Sequence, residues 1–360
     1  MPLPRTMKAV VVHDIEDYRM EEVPVPQVGP GEVLVRTRAT GVCASDVKTY
    51  YGAQRVWGSE QIERYIETPV TPGHEFAGEV VALGEGAGEK YGLALGDLAV
   101  SEQIVPCWQC RFCRRGQYWM CQRHDIYGFK HLQAEGAWAE YMKFPAGAIN
   151  HKVPSEVRPE HAALVEPLAC AIHAVERGEI QLGDVVVIAG MGPIGLCMLQ
   201  VARLKSPALL IALDLQEHRL RLARELGTDM ALNPAQENVI QRVLDLTDGY
   251  GCDVYIEGTG AEAAVVQGLQ MIRKLGTFME FSVHAGPVAA DWSIIGDQKE
   301  LNVHGAHLGP YCYPRAIQCI ADGTVAAGRI VTHALPLECF QEAIELAHNQ
   351  TESVKVVMIP

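Results

Sequence analysis

Along the first 150 residues the apolar positions come in short runs, at 9–12, 33–37, 78–81 and 98–100. Between them stand turn-forming groups such as Pro24 and Pro26, Gly29-Pro30-Gly31, and Gly84 with Gly86. Short apolar runs separated by glycine and proline predict short strands in a small barrel or sandwich. The segment 51–67 breaks that rhythm and reads as a helical or looped excursion. From Pro159 the pattern changes. Helices are predicted at 159–177, 194–204, 216–226, 239–247 and 261–269, and strands at 185–189, 209–214, 230–232, 254–257 and 276–281. Strands alternating with helices imply βαβ units and a parallel sheet. The alternation fades near 302, after which 313–322 and 337–348 read as helices and 353–359 as a closing strand.

The length changes this picture by dividing it. A single core stops growing near ~250–300 residues, and the chain has 360. The expected division places residues 1–167 and 304–360 in a β-rich domain and 168–303 in a doubly wound α/β domain. Apolar residues make up 48% and charged residues 21%, which excludes a disordered chain. Thirty Lys and Arg against 44 Asp and Glu leave a net charge of −14, with no electrostatic footprint for nucleic acid or an anionic membrane. The apolar runs are strand-length, short of the ~20 residues needed to cross a bilayer. The stretch before His13 is too short for a signal segment. The expectation is a cytoplasmic protein with a small-molecule substrate.

Two patterns carry chemistry on their own. Gly190-Met191-Gly192-Pro193-Ile194-Gly195 follows the apolar run 185–189 and opens a predicted helix. It fits the dinucleotide turn: Gly190 for the tight bend, Gly192 for close approach of the pyrophosphate, Gly195 for helix packing. Asp214 ends the next predicted strand, where an acid suits the ribose hydroxyls of NAD and repels the 2′-phosphate of NADP. Arg219, one turn into the following helix, is the residue that could draw that phosphate instead. Gly258-Thr259-Gly260 follows the strand 254–257; it is a second candidate for the cofactor cleft or an ordinary β–α turn.

The other pattern is in the cysteines. Of eleven, Cys107, Cys110, Cys113 and Cys121 crowd together in C-x2-C-x2-C-x7-C spacing within a lobe at about 101–125. Four thiolates can saturate a tetrahedral zinc, which gives a closed, structural site. The spacing also allows an iron–sulfur cluster.

Three further segments matter only together: Gly41–Asp46 with Cys43, Pro72–Gly78 with His74 and Glu75, and Val165–Cys170 with Glu166. Combined with the dinucleotide turn and the cysteine lobe, they resemble the zinc-dependent medium-chain alcohol dehydrogenases over nearly the whole chain. The likeness is greatest to the polyol branch, which includes the sorbitol dehydrogenases. Stretches 101–107, 253–260 and 305–312 are similar to the erythritol/L-threitol dehydrogenases of that branch.

The resemblance implies a GroES-like catalytic domain, a Rossmann domain and a cleft between them. It implies two zinc ions per chain. One is catalytic, on Cys43, His74, Glu75 and Glu166, with either carboxylate bound directly or through water. The other is structural, in the four-cysteine lobe. Cys170, four residues beyond Glu166, is read as packing on the helix. Ser45 matches the hydroxyl that accepts the substrate proton. Lys48 stands where many relatives end the relay with histidine, and reads equally as relay group or solvated residue. Tyr51, Trp57, Tyr127 and His307 are candidates for lining the substrate site, and each reads equally as ordinary packing. Leu308 and Gly309 replace an Arg-Tyr pair of the sorbitol enzymes, which points to a shorter polyol. The implied reaction is NAD-dependent oxidation of a four-carbon polyol, erythritol or L-threitol, to erythrulose. L-threonine 3-dehydrogenase and 2,3-butanediol dehydrogenase activities are alternatives, and a dinucleotide-binding redox sensor is the non-enzyme one. The branch also implies a homo-oligomer, tetramer or dimer.

Overall fold

The structure, a computed structural model, describes residues 3–130, 134–349 and 351–360. The chain separates into two compact units, Met1–Glu166 with Tyr313–Pro360, and Pro167–Cys312.

The first unit is β-rich. Its central strand, Val33–Gly41, alternates exposed Arg36 and Arg38 with buried Val35, Thr37 and Ala39, the period expected when one sheet face is covered. It pairs antiparallel with Phe76–Leu83, Tyr141–Phe144 and Lys355–Ile359. The sheet continues to Leu98–Ser101 and Asn150–Val153 on one side and to Val331–Pro336 on the other. A hairpin of Thr6–Asp14 and Asp17–Pro24 and a two-stranded ribbon of Ile104–Val105 and Asp125–Ile126 complete the strands. One apolar cluster includes Val10, Val12, Val70, Trp138, Phe340 and Met358; another includes Val35, Phe76, Tyr127, Met142 and Phe144. Residues 51–67 carry one helical turn, Gln54–Trp57, and are otherwise looped.

The second unit holds a six-stranded sheet. Its spatial order is Met230–Leu232, Leu209–Leu213, Val185–Ala189, Cys252–Glu257, Ile272–Glu280, Asn302–Gly305, every pairing parallel. Numbered from the first strand of the unit, this is 3-2-1-4-5-6, the doubly wound order that binds dinucleotides where the order reverses. The reversal lies between Val185–Ala189 and Cys252–Glu257. Fully buried runs such as Val186–Ile188 are what a sheet covered on both faces requires.

Three differences from the sequence reading have physical causes. The helix expected over 159–177 is two, Pro159–Ala162 and Val165–Arg177, split by a tight turn in which Leu164 N–H donates to His161 O. A sixth strand exists at Asn302–Gly305, where the polar sequence of an exposed sheet edge hides its pattern. Residues 304–312, expected with the first domain, cluster with the second unit. That edge strand pairs in register with Ile272–Glu280, and Gly309 packs on the Ala169 backbone. Among the described residues no helix is long and apolar enough to cross a membrane.

Candidate functional site

Cys43, His74 and Glu75 converge in the first unit: their ligand atoms all lie within 4.8 Å of one another. Cys43 stands at the entry to the helix Ala44–Tyr50, and its N–H donates to Asp46 Oδ2 at 2.9 Å. His74 and Glu75 immediately precede the strand Phe76–Leu83. Two glycines make this convergence sterically possible. Gly73 has φ +100°, and a Cβ there would lie 2.2 Å from Trp138 Cδ1. A Cβ on Gly41 would lie 2.2 Å from Glu75 Oε2. The Glu75 backbone is fixed by Gly41 N–H at 2.7 Å and the Thr40 hydroxyl at 3.2 Å, both donating to its carbonyl.

The electrostatics of this cluster suit a cation. Burial alone would lower the His74 pKa, yet Asp46, Cys43 and Glu166 together raise it well above the ordinary histidine value. The direction of that shift reflects the negative field of those three groups. His74 Nδ1 is buried with no hydrogen-bond partner, and Asp46 Oδ1 is 3.7 Å away. Sulfur, nitrogen and carboxylate donors in one small site are the set that a borderline cation such as zinc takes. The residues present therefore fit the metal.

Glu166 adjoins the cluster but is not one of the three converging ligands. Its charge is felt at His74 and Lys355, and its Oε1 accepts from Gln103 Nε2 at 2.7 Å. Cys170 is buried one turn further along the same helix and is likewise outside the cluster. Ser45 Oγ lies 3.4 Å from His74 Nε2. Lys48 is on the exposed side of its helix. Tyr127 does not line a site: it is fully buried, packed edge-on against Phe76 at 5.2 Å. Trp57 donates to Thr49 O at 2.7 Å with Arg64 stacked over it.

Sequence reasoning missed three residues here. Asp46 sits beside His74. Lys355, only 2% exposed, donates to Glu75 Oε2 and to Val42 O. Gln103 holds Glu166. The lysine did leave a signal, a lone charge inside the apolar closing run 353–359.

The lobe brings Cys107, Cys110, Cys113 and Cys121 within 4.8 Å of one another, with 4.0 Å between the Cys107 and Cys113 sulfurs. A tetrahedral four-thiolate zinc with bonds of about 2.3 Å has edges of about 3.8 Å. Sulfurs this close match the spacing around one such ion; a cluster of several irons and sulfides needs them farther apart. Backbone N–H groups of Cys113 and Gln122 push the Cys110 thiol down to about 6, which favours the ligating thiolate. All eleven cysteines are free of disulfides.

In the second unit the glycines of the 190–195 turn differ in function. Gly190 has φ +93°, and a Cβ there would meet Gly258 O at 2.9 Å, so the two loops at the strand reversal pack on each other. A Cβ on Gly195 would lie 1.8 Å from Gly190 O, which makes glycine obligatory for helix packing. Around Gly192 the nearest atom is Arg219 Nη1 at 3.8 Å, which leaves space for a ligand. Pro193 opens the eleven-residue helix Pro193–Arg203, followed by Ile194, and the free N–H groups of its first turn suit a phosphate. Asp214 accepts from Met191 N–H at 2.7 Å and from Gln216 N–H at 2.8 Å, bridging the second strand to the glycine turn. Arg219 Nη1 is 3.9 Å from Asp214 Oδ2, and its buried Nε has no partner. Glu257, fully buried, draws the next turn over itself by accepting from Thr259 N–H at 2.8 Å and Gly260 N–H at 3.2 Å.

Comparison with known proteins agrees with both halves. Residues 29–155 match the family described as Alcohol dehydrogenase GroES-like domain, and residues 193–322 that described as Zinc-binding dehydrogenase. Erythritol/L-threitol dehydrogenase of Mycolicibacterium smegmatis is 53% identical over 99% of both chains. L-threonine 3-dehydrogenase of Pyrococcus horikoshii is 36% identical over 90% of both. Among solved structures, a zinc-binding dehydrogenase from Sinorhizobium meliloti bound to NADP superposes with TM-score 0.88 at 28% identity, covering 99% of each chain. Identity of this extent, over GroES-like and Rossmann halves alike, means that the chain belongs to the zinc-dependent medium-chain alcohol dehydrogenase family, in its polyol branch, and is an alcohol or polyol dehydrogenase.

Proposed function

We propose that this chain oxidises a secondary hydroxyl of a small polyol, erythritol or L-threitol, to the ketose erythrulose with NAD as hydride acceptor. One zinc is assigned to Cys43, His74 and Glu75 with Glu166 beside them, and a second to the four-cysteine lobe. The observation that carries the reading is the buried, negative, mixed-donor cluster in a chain 53% identical to erythritol/L-threitol dehydrogenase.

Zinc held by those residues supplies Lewis acidity that lowers the pKa of a substrate hydroxyl toward neutrality. Ser45, whose Oγ lies 3.4 Å from His74 Nε2, accepts the hydroxyl proton. From Ser45 the proton leaves directly to solvent, or through Lys48 when that side chain is a neutral amine able to accept it. A Lys48→Ala variant separates the two, since an unchanged pH–rate profile removes Lys48 from the route. Asp214 supports NAD over NADP: a fixed carboxylate at the second strand's end accepts ribose hydroxyls and repels a 2′-phosphate, and Arg219 lies against it. Gly190, Gly192, Pro193, Ile194, Gly195 and the 258–260 turn complete the cofactor assignment. Gly309 bears on substrate length. A Cβ there would lie 2.4 Å from the Ala169 carbonyl carbon, so no tyrosine fits where the sorbitol enzymes carry one.

The test is a zinc count per chain, followed by turnover of tetritols, pentitols, hexitols, threonine and 2,3-butanediol with NAD and with NADP. Two zinc ions and highest kcat/KM on a tetritol with NAD support the reading. Highest efficiency on threonine, the substrate named for a relative 36% identical, or on butanediol overturns the substrate. Preference for NADP overturns the cofactor.

A further inference from the structure

We propose that Gln103 is a positioning residue for Glu166, locked by Tyr313, and that the same backbone step ties Glu166 to the cysteine lobe. The proposal rests on the reading that Glu166 stands beside a metal held by Cys43, His74 and Glu75. Gln103 is 1% exposed, and its Nε2 donates to Glu166 Oε1 at 2.7 Å.

A carboxamide has two ends of nearly equal size, so something must decide which one faces the carboxylate. Glu166, an acceptor only, takes the NH2 end, and Tyr313 secures the other. Its hydroxyl accepts from Gln103 N–H at 3.1 Å and donates to Gln103 Oε1 at 2.9 Å. The flipped amide would set Oε1 against the carboxylate and cost the Tyr313 hydroxyl its bond to Oε1. Tyr313 is fully buried and opens the helix Tyr313–Ala321, at the point where the chain re-enters the first unit. The Gln103 carbonyl also accepts from Tyr127 N–H at 3.0 Å, so side chain and backbone are both held.

Glu102 reaches the lobe. Its Oε2 accepts from the Tyr118 hydroxyl at 2.6 Å, and Tyr118 lies between Cys113 and Cys121. Its Oε1 is 3.3 Å from His151 Nε2, and the His151 ring stacks on Tyr313 at 5.6 Å. Glu102 and Gln103 are neighbours in the bend between the strands Leu98–Ser101 and Ile104–Val105. The pair connects the lobe to Glu166 through well-made hydrogen bonds. Glu75 and Glu166 are treated differently. Lys355 places a cation on Glu75, whereas Gln103 fixes Glu166 with a neutral donor that orients an oxygen without cancelling its charge.

The test compares Gln103→Met, close in size but without the amide, with Tyr313→Phe and Glu166→Gln in the holoenzyme. One readout is the rate of zinc loss to a chelator. The other is the visible spectrum of the cobalt-substituted protein, in which a mixed-donor site and a four-thiolate site give separate bands. Partners that orient metal-site groups are worth about 10–100-fold in metal affinity. Gln103→Met is expected to release metal from the mixed-donor site roughly tenfold or more faster and to shift its bands, with the four-thiolate bands unchanged. Tyr313→Phe is expected to shift them less, in the same direction. If Glu166→Gln changes both readouts and neither Gln103→Met nor Tyr313→Phe changes either, the positioning role is wrong. If Glu166→Gln itself changes neither, Glu166 does not serve the metal and the underlying reading fails with it. Because Tyr313→Phe leaves the Gln103 side chain in place, it decides the lock even if Gln103→Met does not fold.

Discussion

Lys355 and Glu75 form an ion pair inside the first unit, each side chain only 2% exposed. They come from opposite ends of the chain: Glu75 precedes the strand Phe76–Leu83, and Lys355 opens the closing strand Lys355–Ile359. The ammonium also donates to Val42 O at 3.0 Å, next to Cys43. Burial would lower the lysine pKa, but Glu75, Cys43 and Glu166 outweigh it and raise the value. The C-terminal strand thus delivers a fixed positive charge to the rim of the candidate metal cluster.

Removing that charge tests what Glu75 faces. Breaking a buried pair by deleting one partner costs about 3–5 kcal/mol, because the other charge is left uncompensated. Lys355→Met is expected to lower the stability of the metal-free chain by about that amount. The zinc-loaded chain is expected to lose less, since a divalent ion next to Glu75 offsets the carboxylate. Denaturant titrations with and without metal check this. An equal loss in both states would place Glu75 away from the ion.

Gly192→Ala and Gly195→Ala are expected to fail in opposite ways. At Gly195 the new methyl would lie 1.8 Å from Gly190 O, so helix and strand must part, with a stability loss of about 1–3 kcal/mol or more. At Gly192 the nearest atom is 3.8 Å away, and the φ of −68° suits alanine. Gly192→Ala should cost roughly 1 kcal/mol or less, as a change at a helix N-cap, yet raise the KM for the dinucleotide roughly tenfold or more. Melting temperatures and cofactor titrations on the two variants separate fold from binding.

The contrast between the two glycines also shows how far the sequence could be read. The second unit was legible because its strands are continuous apolar runs, such as 185–189 and 209–213, punctuated by glycine turns. Its edge strand Asn302–Gly305 was not, since one side faces solvent and the residues carry no apolar pattern. The metal-ligand candidates were legible only as a set, because no one of the three segments is distinctive without the dinucleotide turn and the cysteine lobe beside it. The residues that hold them in place were hidden. Gln103, Tyr313 and Lys355 act through partners far along the chain, and no local spacing reports such pairings. Tyr127 was open between lining a site and ordinary packing, and the sheet turns it into the core between Phe76 and Phe144.

Cofactor choice should respond to Asp214. The carboxylate accepts two backbone N–H groups and lies 3.9 Å from Arg219. Charged hydrogen bonds are worth about 1.5–3 kcal/mol, so Asp214→Ala is expected to lower kcat/KM for NAD by roughly 10–100-fold. The same change releases Arg219 from its anionic neighbour and should raise kcat/KM for NADP. Parallel rate measurements with both cofactors check it. A fall for both in equal proportion would mean that Asp214 only supports the glycine turn.

A final prediction concerns acid stability through His173. Burial, then the charge of Arg177, then His307, push the His173 imidazole down to about 4. In the unfolded chain it titrates near 6.5. Between those values the unfolded state binds the proton and the folded state does not. The slope of unfolding free energy against pH is positive wherever the unfolded chain holds more protons. The contribution from His173 is therefore complete above about pH 6.5 and is lost as pH falls toward 4. His173→Gln, which cannot titrate, should show a shallower loss of stability across that window, with the two curves converging in slope above it. Denaturant midpoints at several pH values between 4 and 8 measure the difference, and parallel curves throughout would mean that His173 is not held neutral by the fold.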